Sequence, residues 1–205
     1  ISEIAVSPKT AKPGDKVEIR FSVSETLAKT PLVAVNGQQA GLAVRNLNDF
    51  VFEYVVREQD AEGPTAVSVS GLDLAGNPAM KRVLEAVRFD KTAPQFSGFT
   101  AEPALARAGA KVLVQFSASE PLASLPKAAI NGHPVEAKAL ENGKYGIVFE
   151  VGEDSKNGPA EIAIGAADLA GNTGQQKCVD VLTIDNEKPL FAGLQIEPAL
   201  AGAGS

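Results

Sequence analysis

In residues 16–24 the chain alternates: Val17, Ile19, Phe21 and Val23 share one face, and Lys16, Glu18, Arg20 and Ser22 the other. A period of two over this length predicts a half-buried β-strand. A second strand follows at Phe50, Phe52, Tyr54 and Val56. Between them, residues 32–35 run into Asn36-Gly37, the pair that a tight hairpin turn favours because both residues take positive φ. Gly63-Pro64 opens a further strand over residues 65–72, the turn Asp73-Leu74-Ala75-Gly76-Asn77 closes it, and a last strand lies within residues 80–89. With an opening strand near residues 3–6, the pattern predicts about seven strands and no helical stretch.

The whole pattern then recurs 95 positions later without a gap. Gly14 meets Gly109, Phe21 meets Phe116, Asn36-Gly37 meets Asn131-Gly132, and the Asp73 turn meets Asp168-Leu169-Ala170-Gly171-Asn172. Val112, Val114, Phe116 and Ala118 copy the first strong strand; Tyr145, Ile147, Phe149 and Val151 copy the second. A third copy opens at Ile196-Glu197-Pro198-Ala199-Leu200-Ala201. The expected organisation is repeat 1 over residues 1–94, repeat 2 over 95–189, and the start of a third over 190–205, a piece of a longer array. Seven short antiparallel strands in about 90 residues predict an all-β chain of tandem immunoglobulin-like sandwiches. Phe21, Phe52, Phe116 and Ile147 are the expected core, whereas Leu194 and Ile196 are expected to lie outside the sandwich of repeat 2.

Two details depart from the alternation. Glu85 falls in phase with the buried face of Val83, Val87 and Phe89, and Asp180 repeats this in the second copy. A β-bulge that turns both acids outward is the expected solution, because a buried charge needs a partner. The linkers Asp90-Lys91-Thr92-Ala93-Pro94 and Asp185-Asn186-Glu187-Lys188-Pro189 carry a proline and no Gly/Ser spacer, which predicts a stiff end-to-end arrangement.

Composition narrows the function. The net charge of −6 and pI near 4.9 disfavour nucleic acid and anionic membranes, which call for Lys/Arg clusters. No apolar run reaches the length of about 20 residues that a membrane helix requires. The single Cys178 corresponds to Val83 in repeat 1 and reads as a small core side chain. His133, at the position of Gln38, has no metal-binding companions and reads as an exposed turn residue. No phosphate-binding Gly-rich loop, no Gly-x-Ser-x-Gly and no Ser/His/Asp set is present, so no enzymatic activity is expected.

Ser24-Glu25-Thr26-Leu27 and Ser119-Glu120-Pro121-Leu122, the two Asp-Leu-Ala-Gly-Asn turns, and Asp90-Lys91-Thr92-Ala93-Pro94 resemble motifs of the bacterial immunoglobulin-like repeats found in large surface proteins and adhesins. The second linker lacks the Thr-Ala. The resemblance implies an extracellular or cell-surface stalk of tandem domains, in some cases stiffened by calcium between neighbours. Its implied partners are neighbouring repeats and a host, matrix or self-association partner. The alternative is a carbohydrate- or protein-binding module beside a secreted enzyme. Sugar platforms, however, are generally aromatic, and this chain has 5% aromatics, no Trp, and only Tyr54 and Tyr145, both in core phase.

Sandwich topology also gathers acids. The turn after the strand of Phe116, the turn opened by Asp168 and the linker carrying Asp90 share one pole, so Asp90, Glu120 and Asp168 are expected to converge, with Asn172 completing an oxygen shell. Calcium takes 6–8 oxygen ligands of this kind. The other reading is ordinary turn chemistry, with Asp168 accepting backbone N–H bonds and Gly171 taking positive φ. Glu25 and Asp73, which lack a preceding linker, form a half-site at most.

Overall fold

The computed structural model describes residues 1–193. In repeat 1, β1 (Ala5–Ser7), β3 (Lys16–Ser22), β7 (Asp49–Val55) and β6 (Gly41–Asn46) form one sheet in the order β1-β3-β7-β6. The facing sheet runs β2-β9-β8-β4-β5, built from β2 (Thr10–Ala11), β9 (Pro78–Phe89), β8 (Gly63–Leu72), β4 (Leu32–Val35) and β5 (Gln38–Gln39). This is the immunoglobulin-like sandwich. It has more strands than the alternation predicted because the opening strand divides and because the chain after the Asn36-Gly37 turn divides into β5 and β6. β1 pairs antiparallel with β3 in one sheet, and β2 pairs parallel with β9 in the other. Pro8, with no N–H to donate, stands where the chain changes sheets.

Repeat 2 contains β10 (Phe96–Glu102), β11 (Leu105–Ala106), β12 (Lys111–Ala118), β13 (Lys127–Ile130), β14 (His133–Ala139), β15 (Lys144–Glu150), β16 (Gly158–Pro159), β17 (Ile162–Ala167), β18 (Thr173–Cys178) and β19 (Thr183–Ile184). Here β14 pairs with β13 through residues 133–136 and with β15 through 137–139, so one strand joins both sheets. A single 3-10 turn, Glu141–Gly143, interrupts the strands, and no helix among the described residues is long and apolar enough to cross a membrane.

The strand phase follows the alternation. Phe21, Phe52, Phe116 and Ile147 are all buried, and the buried apolar residues fall into two clusters, one from Ile4 to Phe89 and one from Phe96 to Ile184. Phe21 stacks on Phe50 and Phe52; Phe116 stacks on Phe99 and Tyr145. Asn36 and Gly37 take φ of 47° and 81°, and Asn131 and Gly132 take 49° and 80°, as the hairpin turns require.

At Glu85 the β8–β9 register jumps from Thr65↔Val87 to Val67↔Val83, Glu85 takes φ of 50°, and its side chain is exposed. In repeat 2 the same place is a break: β18 ends at Cys178, Asp180 is exposed at a bend, and the strand resumes as β19. Cys178 differs from expectation, being half-buried at its strand end rather than in the core. His133 is exposed at the start of β14. Leu190 and Phe191 are almost fully exposed; Leu194, Ile196 and the rest of the third copy lie outside the described residues.

Candidate cation site at the junction of the repeats

Three segments deliver one carboxylate each to the junction. Asp90 follows β9, Glu120 lies just after β12, and Asp168 opens the turn between β17 and β18. One oxygen from each lies within 4.8 Å of the others. Asp168 is 1% exposed and Asp90 8%. The topology that turns these strands is what brings together residues 78 positions apart in sequence.

The Asp168 turn is braced from within. Asp168 Oδ1 accepts the backbone N–H groups of Ala170 (2.8 Å) and Asn172 (2.9 Å), and Oδ2 accepts the Asn172 amide (2.8 Å). The same amide nitrogen donates to the backbone carbonyl of Asp90 at 3.1 Å. Both partners of that nitrogen are acceptors, which sets the orientation of the amide. The NH2 group of Asn172 thus ties the turn to the linker and orients Asp168 and Asp90, in addition to the oxygen that its amide was expected to offer.

Glu62, on the loop before β8, is a residue that sequence reasoning missed. Its Oε1 accepts the Thr92 hydroxyl at 3.0 Å and the Lys91 N–H at 3.4 Å, placing a fourth carboxylate beside Asp90. The repeat hides it, because its counterpart is Asn157, which receives the Asn186 N–H in the same way. The signal available was its position just ahead of Gly63-Pro64, where both copies hold the linker backbone.

Burial raises the carboxyl of Asp90 above its ordinary range, with repulsion from Asp168 and Glu62 adding to it and the Thr92 N–H opposing. Glu120 is raised too, by burial first and then by the charges of Asp90, Asp168 and Glu62, against the attraction of Arg88. Glu62 is lowered, chiefly by the Thr92 hydroxyl. The Lys91 ammonium does not neutralise this group; it turns away to the Glu58 carbonyl. Glu62, Asp90 and Glu120 line a cleft of about 490 Å³ whose rim includes Thr10, Arg88 and Ser119, with Asp168 buried behind them.

Two contacts outside the acids fix the linker. Lys12 Nζ donates to the Gly171 carbonyl at 2.6 Å, joining the start of repeat 1 to the turn of repeat 2. Gly174 receives Pro94 so closely that a Cβ there would fall 1.8 Å from the Pro94 carbonyl oxygen. Only glycine leaves that space.

The donor set suits a hard cation. Oxygens on opposite sides of a calcium ion lie roughly 4.6–5.2 Å apart, given metal–oxygen distances of about 2.3–2.6 Å, and the carboxylate oxygens here span up to 4.8 Å. Glu62, Asp90, Glu120 and Asp168 outnumber the one cation among the described residues that acts on them, Arg88, and carboxylates so placed, two of them raised in pKa, gain from a divalent charge between them.

No family model matches the sequence, and no curated protein matches it. Solved structures do. A Ca2+-stabilized adhesin that helps an Antarctic bacterium reach out and bind ice is similar over 91% of this chain and 49% of its own, at 16% identity and a TM-score of 0.53. A 1.5-MDa bacterial ice-binding adhesin, in a structure concerned with host cell surface retention, is similar over 90% of this chain and 64% of its own, at 15% identity and a TM-score of 0.51. The I-band fragment I67-I69 from titin is similar over 90% and 65%, at 11% identity and a TM-score of 0.54. The chain spans about half to two thirds of the length of these structures. What they share with it is the tandem immunoglobulin-like fold.

Proposed function

We propose that this chain is a spacer of an extracellular or cell-surface protein, non-enzymatic, whose consecutive repeats are locked end to end by calcium. The observation that carries the reading is the meeting of Asp90, from the end of repeat 1, with Glu120 and Asp168 of repeat 2. A site composed of two domains serves to fix their relative orientation, and a spacer gains reach from that. Asp90, Glu120 and Asp168 are the ligands, Glu62 adds charge beside them, and Asn172 and Gly174 seat the linker so that the carboxylates face one another. The ion supplies positive charge that offsets carboxylate repulsion. The Ca2+-stabilized adhesin among the similar structures supports the choice of calcium and of a surface protein. Its partners in this reading are its neighbouring repeats and, through the array, a host, matrix or like molecule.

Rotational diffusion of the two repeats, measured by NMR relaxation with calcium and with a chelator, tests this. Anisotropic tumbling as one rod in calcium, loosened by the chelator, is expected. Independent tumbling in both conditions would overturn it.

A further inference from the structure

Repeat 2 has a cleft of about 640 Å³ beside the hairpin of β13 and β14 and the loop after β15. Its floor is apolar, formed by Ile130, Val135, Phe149 and Ile184, and its rim carries Glu150, Glu153 and Asp154 against Lys156. The corresponding place in repeat 1 is filled, and the repeat shows by what. There the Arg57 guanidinium lies over the ring of Tyr54, 5.5 Å from its centroid, with Nη1 toward Gln38 Oε1 at 3.5 Å. Tyr54 also stacks on Phe89, and its hydroxyl donates to Asp60 at 2.7 Å.

At the offset of 95 positions, repeat 2 has Gly152 for Arg57, Phe149 for Tyr54, Ile184 for Phe89 and Ser155 for Asp60. The loop backbone is unchanged: Asp60 N–H donates to the Arg57 carbonyl at 3.1 Å, and Ser155 N–H donates to the Gly152 carbonyl at 3.1 Å. One ring of the floor, Phe149, and the turn remain, while a glycine stands where repeat 1 has the arginine. Two further replacements, Glu150 for Val55 and Asp154 for Gln59, add carboxylates around the opening. A planar cation that stacks on an aromatic face and meets carboxylates at its edge is the complement of this site.

We propose that the cleft of repeat 2 receives an arginine side chain of a partner protein, in the position that repeat 1 fills with its own Arg57. The guanidinium lies over Phe149, with Glu153 and Asp154 at the mouth and the alkyl stem along Val135 and Ile184. An ammonium fits less well, being a strongly hydrated point charge that cannot stack.

The test is an NMR titration of the two-repeat chain with the blocked tripeptide Gly-Arg-Gly, and in parallel with Gly-Lys-Gly. Binding of the arginine peptide with a dissociation constant on the order of millimolar is expected, as for one side chain in a half-open site. Amide shifts are expected in residues 130–135 and 149–156 and not in residues 35–40 and 54–61, with the lysine peptide at least about fivefold weaker. Gly152→Arg recreates the filled state of repeat 1 and is expected to abolish binding. It is compatible with the fold, because a Cβ there meets nothing closer than Ser155 Oγ at 3.6 Å. The exposed double variant Glu153→Gln/Asp154→Asn is expected to weaken binding severalfold. Equal response to both peptides, shifts that survive in Gly152→Arg, or no shift with the arginine peptide at tens of millimolar would each overturn the proposal.

Discussion

The turn at Asp73 and its copy at Asp168 have the same five residues and nearly the same internal bonds. Asp73 accepts the Asn77 N–H at 2.8 Å and the Asn77 amide at 2.7 Å, as Asp168 does from Asn172. Their surroundings differ. Around the first turn Glu25, Ala75, Asn77 and Ala79 are exposed; around the second Asp168, Ala170 and Gly174 are buried. Asp73, bonded and open to water, has its carboxyl lowered, mainly by the Asn77 amide. At the second pole, Asp90 and Glu120 are raised by burial against other acids. The same local sequence is thus a plain turn where nothing packs on it and part of an acidic site where a preceding linker does. The chemistry belongs to the junction rather than to the motif.

If the cores are equivalent and only the poles differ, core substitutions should cost the same in both repeats. Phe116→Ala and Phe21→Ala are each expected to lose about 3–5 kcal/mol in urea unfolding. A loss below about 1 kcal/mol in either would show that its strand is not in the assigned phase. The poles should then separate. Asp168→Ala leaves buried N–H groups unpaired and is expected to cost about 2–3 kcal/mol, whereas Asp73→Ala, where water replaces the lost partners, should cost clearly less. Equal losses would erase the distinction between the turns.

Gly174→Ala forces the linker away from β18 and is expected to cost about 1–3 kcal/mol, with a changed angle between repeats visible in small-angle scattering. Ala79→Gly, its counterpart, should cost about 0.5–1 kcal/mol from chain entropy and leave the angle alone.

The smallest effect is in pH, and its sign differs between the poles. Asp90 and Glu120 have folded pKa values above their ordinary 3.8 and 4.5. The stability they lend is therefore complete below those values and lost as the pH rises through the raised ones. Asp73 is lowered, so its contribution is present above 3.8 and lost as the pH falls through its folded value. In chelator, unfolding of repeat 2 should become easier from about pH 4 upward, and Asp90→Asn/Glu120→Gln should flatten that slope. A slope unchanged in the double variant would mean that other groups set it.

The alternation made the strands, their buried phase and both hairpin turns legible, because each rests on period and on residues that tolerate positive φ. The outward turn of Glu85 was legible from the same alternation, as a charge that falls in phase with a buried face. The meeting of Asp90, Glu120 and Asp168 followed from strand direction alone. Glu62 escaped because comparing the repeats favours shared residues, and its copy is Asn157. The donor role of Asn172 depends on which way an amide faces, which only its two acceptors decide. The docking of Pro94 on Gly174 was written as a difference, a glycine where repeat 1 has Ala79, and differences between copies carry what is particular to each pole. The open cleft of repeat 2 was written in the same way, as Gly152 for Arg57.

Calorimetric titration of the two-repeat chain with calcium tests the central claim most directly. One site is expected, lost in Asp168→Asn and retained in Asp73→Asn, because only the second turn has a linker carboxylate facing it. Absence of heat at millimolar calcium, or equal loss in both variants, would contradict a cation site made by the junction.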